Sequence, residues 1–529
     1  MHFRRLMQSR LDEPLPLWRI FPVVFAALYV SHFTLLRLPY YWDEAGYYIP
    51  AAWDFFRTGS LIPITTLTNA HPPLESIYLA LWWKVCGFYP EVTREAVLMV
   101  AALGLLAVWR LAMRLVGVGA VAFWTVLLTG LYPIWFAQST LAHADIFAAA
   151  CTLWGLVYAL PERDRKPWAA ALWFTAAVLS KETAVAVPLT LALVCAVEGF
   201  RARPPARFRL WRETGWLASC VLPLAGWYGW HYAKTGFLFG NPQFLRYNAQ
   251  ANLDPLRFLA AFGHRVLHLT AHMNLFVPVL IAVAAVLLLE PRLDAEDHER
   301  AGIGRPAQRR IFLLLLMNAL LFSVLGGALL TRYLLPMYPL VLLLAVATFY
   351  RRVPYWQGVA LLSVAAFVLG LFVNPPYGFA PEDNLAYAHV IRLHLAGIAQ
   401  LNKRYPGATV LSAWPMTDEL SRPELGYLRQ PYDVYRLEDF TAEQIARAAA
   451  EPEKYTAALV FSTKYDPPWP QLSLGRKSEA MDERFFGLHH DLSPEEIARE
   501  LGGTLVWKGV DQRQWVGLIR FDRVLNAAL

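Results

Sequence analysis

Residues 17–48 read LWRIFPVVFAALYVSHFTLLRLPYYWDEAGYY, and the two halves of this stretch govern the reading of everything after it. Leu17–Leu36 is apolar over a length that crosses a bilayer core, for which about 20 residues suffice. It follows Arg4, Arg5 and Arg10, is long for a signal-peptide core and has no small-x-small cleavage site behind it, so it is expected to remain as a first span. Just past it stands Asp43-Glu44, inside YYWDEAGYY. Carboxylates at a membrane boundary are costly to desolvate, which makes such a pair a functional candidate.

The composition supports the membrane reading. Apolar residues make up 57% of the 529 and charged residues 17%, against about 25% charged in soluble domains. The apolar excess ends near residue 374. Two domains are therefore expected: a polytopic α-helical membrane domain over 1–374 and a soluble α/β domain over 375–529. Net charge is +7, which in a membrane protein reflects anchoring arginines; no basic stripe with interleaved aromatics suggests nucleic acid. Cys86, Cys151, Cys195 and Cys220 are isolated and mostly lie in apolar runs, which reads as filler rather than a disulfide framework.

Eleven spans are expected: Leu17–Leu36, Ala96–Leu115, Gly119–Ala137, Ile146–Leu160, Trp168–Ser180, Thr183–Val197, Thr214–Tyr232, Val266–Leu289, Ile311–Leu330, Leu334–Tyr350 and Gln357–Val373. Gly46–Arg57 and Leu74–Phe88 read instead as aromatic amphipathic helices at the interface. With the N-terminus inside, the inner connections carry roughly twice the Lys/Arg of the longer outer ones, the bias expected for N-in, C-out. This topology gathers Asp43, Glu44, His71, His143, Asp145, Lys181 and Arg332 on one face, the outer one.

Each of these residues has a functional and a structural reading. A carboxylate partly dehydrated by aromatic neighbours becomes a better proton acceptor, which favours function for Asp43 and Glu44 over a mere boundary marker. His71 opens HPPL at 71–74; the prolines fix its pose, and read alone it is a residue that starts a helix. His143 and Asp145 suit metal ligation, substrate contact or, for Asp145, an N-cap. Two ligands give a divalent metal little support, and no cofactor is expected. Lys181 and Glu182 form a turn between two short helices, and Arg332-Tyr333 follows a long uncharged run. Either cation is an interface anchor or a phosphate ligand, and a guanidinium grips phosphate bidentately.

Beyond Pro375, helices at Asn384–Lys403, Thr441–Ala450 and Ser493–Leu501 alternate with strands at Thr409–Ala413, Ala457–Ser462, Gly503–Lys508 and Trp515–Phe521. No glycine-rich phosphate loop or nucleophile–base set is evident there. No period of 20–50 residues recurs, and matched broken helices, a mark of transporters, are not evident.

Together, Asp43-Glu44, HPPL at 71–74, Asp145, SKET at 180–183 and RYLLPMYP at 332–339 resemble the GT-C glycosyltransferases that use polyprenyl-phosphate sugars. The likeness is particularly to glycosyltransferase family 39, with its protein O-mannosyltransferases and the aminoarabinose transferases of lipid A. The resemblance covers roughly 17–374. It implies a GT-C-like fold, a polyprenyl-phosphate-linked sugar donor reached from the membrane lipids, and a lipid, glycan or protein acceptor. It implies Asp43 as catalytic base, with His71, Lys181 and Arg332 facing the lipid phosphate. The expected place is a bacterial inner membrane, with the C-terminal domain outside. The rival readings are a transporter or flippase, which should place its charges near mid-membrane, and a non-catalytic scaffold.

Overall fold

The computed structural model describes residues 16–68, 71–162, 164–238, 240, 254–325, 329–465 and 476–521; Arg4, Arg5 and Arg10 lie outside them. The chain forms two compact units. One takes the described parts of Met1–Phe33 and Ala51–Val373, the other Thr34–Pro50 with the described parts of Asn374–Leu529. The loop that bears Asp43 and Glu44 thus belongs to the second unit, although the helices on either side of it belong to the first.

The first unit is helical. Among the described residues, four helices are long and apolar enough to cross a membrane: Leu17–Leu35, Pro90–Leu115, Glu182–Arg201 and Arg305–Val324. Shorter apolar helices run over Gly119–Leu131, Ala144–Ala159, Pro167–Ser180 and Trp356–Phe372. Large apolar side chains such as Val30, Val85, Leu222, Leu287 and Leu288 stand exposed on this unit, a surface suited to lipid rather than water.

Several expected spans are broken, each for a local reason. Gly119–Ala137 stops at Leu131 and restarts at Pro133, because proline lacks an N–H and holds Tyr132 extended. Thr214–Tyr232 is two helices, Ala206–Ala218 and Val221–Thr235; Pro223 has no N–H to bond back to Ser219. Val266–Leu289 is part of a pair, Pro255–Asn274 and Phe276–Leu288, bent by 104°. Met273 and Asn274 there take φ of 48° and 65°, and Asn274 Nδ2 donates to the Ala366 carbonyl at 2.7 Å. The interfacial segments are helical as expected, at Ile49–Thr58 and Leu74–Cys86.

The second unit holds a five-stranded sheet of order β2-β1-β3-β5-β4, with β1 Val410–Ala413, β2 Val434–Leu437, β3 Ala457–Phe461, β4 Thr504–Asp511 and β5 Gln514–Arg520. β1 runs parallel to β2 and β3, while β5 is antiparallel to β3 and β4. β1 and β3 are wholly buried, as expected of strands covered on both faces. Helix Ala386–Arg404 packs on the sheet, and Gly397 permits the approach: a Cβ there would stand 2.6 Å from Val516. Strand β2 and helix Arg476–Phe486 go beyond the sequence reading.

Helix contact in the first unit is tightest where Ala144–Ala159 meets Pro167–Ser180. A Cβ on Gly155 would lie 2.4 Å from the Phe174 ring, which is fully buried. Overpacking of this kind costs about 1–3 kcal/mol. Gly155→Ala should lower the thermal midpoint of the purified protein, measured by intrinsic fluorescence, while Gly229→Ala, with open space at its Cβ, should not.

Candidate functional site

At one end of the helical unit, four elements bring their termini together. The N-terminus of Ala144–Ala159 carries Asp145, and Lys181 ends Pro167–Ser180. Arg332 and Tyr333 lie on the 3-10 turn Thr331–Leu334, and His71 precedes Leu74–Cys86. A 3-10 turn at Glu182–Val185 keeps Lys181 clear of the helix that follows.

Asp145 is the centre of the cluster. Its Oδ1 accepts from Lys181 Nζ at 2.7 Å, and its Oδ2 lies 3.3 Å from Arg332 Nε. All three side chains are almost wholly buried. The carboxylate is therefore no helix cap: His143 occupies the N-cap position, without a side-chain cap bond. Lys181 Nζ also sits 4.2 Å from the Tyr333 ring centroid, and the Arg332 guanidinium lies 5.9 Å from the same ring.

His71 donates from Nδ1 to Glu182 Oε2 at 2.8 Å. His143 donates from Nδ1 to Gln138 Oε1 at 2.9 Å. Burial, with Arg332, Lys181 and Arg94 close by, holds the His143 imidazole well below the ordinary histidine value, so it is neutral near pH 7. Among the described residues no group of three His, Cys, Asp or Glu side chains is placed to hold a metal ion.

The sequence reading missed Arg265. It is buried, donates from Nη1 to the Leu330 carbonyl at 2.8 Å, and places its guanidinium 5.9 Å from the Tyr333 ring. Three cations therefore share one tyrosine ring. The signal available was an arginine within an apolar helix, a position that is expensive and seldom idle.

Asp43 and Glu44 are held by the second unit. Asp43 is half-buried and leads into a π-helical turn, Glu44–Tyr48, a rare geometry frequent at functional sites. Glu44, expected among the reacting groups, is fully buried and accepts from the Tyr41 N–H at 2.8 Å, which fixes the turn. Leu425, Tyr427 and Trp414 pin the loop: Tyr40 N–H donates to the Leu425 carbonyl at 3.2 Å, the Tyr427 hydroxyl donates to the Tyr40 carbonyl at 3.0 Å, and Trp42 meets Trp414 edge-on at 5.1 Å. Burial, then the charges of Asp43 and Asp418, push the Tyr47 phenol up to about 12; it remains a protonated donor.

Residues 70–227 match the family model described as dolichyl-phosphate-mannose-protein mannosyltransferase, a segment that includes His71, His143, Asp145, Lys181 and Glu182. No curated protein sequence is similar enough to match. In fold the chain is similar to the crystal structure of ArnT from Cupriavidus metallidurans bound to undecaprenyl phosphate, with TM-score 0.55 and 17% identity over 95% of this chain and 98% of that one. The apo structure of the same protein gives TM-score 0.52 and 16% identity over 94% and 97%. The fold is thus similar to that of a solved ArnT, and the segment 70–227 is similar to a mannosyltransferase family.

Breaking a buried charge cluster by removing its shared partner costs about 3–5 kcal/mol. Asp145→Ala leaves Lys181 and Arg332 facing each other without their carboxylate and should destabilise strongly. Lys181→Met, which removes one of the two cations, should destabilise less. Thermal unfolding of both variants in the same detergent checks the order.

Proposed function

We propose that this chain moves a sugar from a polyprenyl-phosphate carrier to an acceptor hydroxyl on the outer face of a bacterial inner membrane. The observation that carries the proposal is the buried assembly of Lys181, Arg332 and Arg265 around Tyr333, braced by Asp145 at one end of the helical unit. Buried cations of this kind are worth their desolvation where an anion visits them, and a lipid phosphate arriving along the membrane is such an anion. The eleven crossings, the N-in, C-out orientation and the division at residue 374 belong to the same reading and are supported by the Lys/Arg bias.

The reaction is a single displacement with inversion. Asp43 accepts the proton of the acceptor hydroxyl while that oxygen bonds to the anomeric carbon. The bond from that carbon to the phosphate oxygen breaks, and its electron pair leaves with the polyprenyl phosphate. A phosphate leaving group needs cations more than a general acid, and Lys181, Arg332 and Arg265 supply them. Asp145 holds Lys181 and Arg332 in place, the His71–Glu182 pair fixes the start of Leu74–Cys86, and Glu44 sets the turn that presents Asp43. His143 and Tyr333 are read as further substrate contacts.

A transporter or flippase would place its ionisable groups near mid-depth. Here Lys181, Asp145, Arg332 and His71 all stand at helix ends, which favours the enzyme.

Arg332→Ala should weaken binding of undecaprenyl phosphate to the full chain in nanodiscs about tenfold or more, as expected for loss of one buried phosphate contact. Asp43→Asn should leave that binding unchanged. It should also remove the chain's product from envelope lipids, glycans and proteins compared by mass spectrometry between cells with and without it, a general base being worth about 10²–10⁴ in rate. Wild-type product levels in the Asp43→Asn strain would remove Asp43 from the mechanism.

A further inference from the structure

The second unit carries an aromatic surface that the donor chemistry leaves unexplained. Sheet order β2-β1-β3 means that the chain leaves β1 toward one neighbour and returns to the other, which puts a topological switch point between β1 and β3. In parallel sheets ligands bind beyond the carboxyl ends of the strands at such a point. Trp414 stands there, directly after the last residue of β1.

The loop 34–50 comes to the same place. Trp42 meets Trp414 at 5.1 Å and Tyr47 meets it at 5.9 Å. None of the three rings is fully buried. Trp42 adopts φ of 47°, the left-handed region that a bulky residue enters only under constraint and that concentrates at functional sites. Gly46 lets the loop close on the ring: a Cβ there would lie 2.8 Å from Trp414. Asp43 and Tyr47 sit four residues apart on one helical turn, so a carboxylate and a phenol flank the rings. The second carboxylate nearby, Asp418, is engaged by Arg436 at 3.1 Å and Arg422 at 3.8 Å; Asp43 is the carboxylate on the loop that carries Trp42 and Tyr47.

We infer that Trp42, Tyr47 and Trp414 form the acceptor platform, and that the acceptor presents a neutral pyranose ring to it. A pyranose has an apolar C–H face that an indole covers and an equatorial fringe of hydroxyls that a carboxylate and a phenol hydrogen-bond. A peptide hydroxyl or a phosphorylated headgroup uses no such flat face, and a phosphate would meet the charge of Asp43. This rests on the glycosyltransferase reading and adds the acceptor's class.

The test is saturation-transfer NMR on the full chain in phosphatidylcholine nanodiscs, with methyl α- and β-pyranosides as probes and no lipid donor. The expected result is saturation concentrated on the ring C–H protons. Trp414→Ala and Gly46→Ala should weaken apparent affinity about tenfold, the scale of one aromatic contact; Trp414→Phe should keep most of it, and Arg332→Ala should not change it. Absence of saturation for every pyranoside overturns the inference, as does equal saturation in wild type and Trp414→Ala. Trp414-dependent saturation of a serine/threonine peptide instead of the pyranosides overturns it too. Because no donor is present, failure of undecaprenyl phosphate to bind in the separate experiment would sink the donor reading without altering this measurement.

Discussion

Two cations removed from water at the end of a helical bundle cannot stand without a shared counter-charge, and Asp145 supplies it. Lys181 at 2.7 Å and Arg332 at 3.3 Å each use a different oxygen of the one carboxylate. That division fixes the relative positions of three elements far apart in sequence. Each desolvated ion costs several kcal/mol, and the attraction between them offsets this only when the geometry is good. A chain selected for stability alone would have filled this corner with apolar side chains. The polar corner stands beside helices whose interiors are mostly apolar, and in the proposed reaction it is the place where the carrier's phosphate sits.

The carboxylate assigned the proton transfer is governed by different forces. Its loop leaves the helical unit after Phe33 and returns before Ala51. Between those points, Tyr40, Tyr41 and Trp42 contact Leu425, Tyr427, Tyr387 and Trp414 of the sheet unit. The buried cations therefore depend on helix packing, and Asp43, the base of the proposed reaction, depends on the fit of an aromatic loop to a strand end. Substitutions in the sheet unit can then alter turnover without touching the cation cluster. A position such as Gly46 then bears on the proposed reaction through the Trp414 ring it lets approach.

How much of this the sequence disclosed follows from which interactions are local. Helix Pro167–Ser180 was legible to within a residue because proline starts it and a charged turn ends it. β1, β3, β4 and β5 were legible because runs such as AALVF and QWVGLIR have few other homes. The break at Met273-Asn274 was not, since a span was read straight through it and neither Gly nor Pro stands at it; Asn274 there bonds to the Ala366 carbonyl on another helix. Strand β2, with sequence VYRL, is short and carries Arg436, so only its pairing with β1 makes it a strand. The site divides the same way. Asp43, Lys181 and Arg332 stood out because charges interrupt apolar surroundings. Arg265 went unread because its value lies in a ring contributed by residue 333, and Asp145 admitted a capping role until its partners were known.

The charge count around Tyr333 bears on why such a cluster would accelerate transfer rather than simply bind lipid. Lys181, Arg332 and Arg265 against Asp145 leave two positive charges in excess near the ring. A sugar attached through a phosphodiester brings one negative charge, whereas the departing phosphate monoester carries close to two. In the proposed reaction that excess matches the product side, so attraction would grow as the bond to the sugar breaks. Only interactions stronger at the transition state than in the ground state raise turnover, and a preorganised field in a site shielded from water meets that condition without reorganising. The same matching holds the spent carrier tightly. In the proposed reaction, release of polyprenyl phosphate rather than bond breaking would then be the slow step, and the lateral path back into the lipid would matter to turnover as much as Asp43.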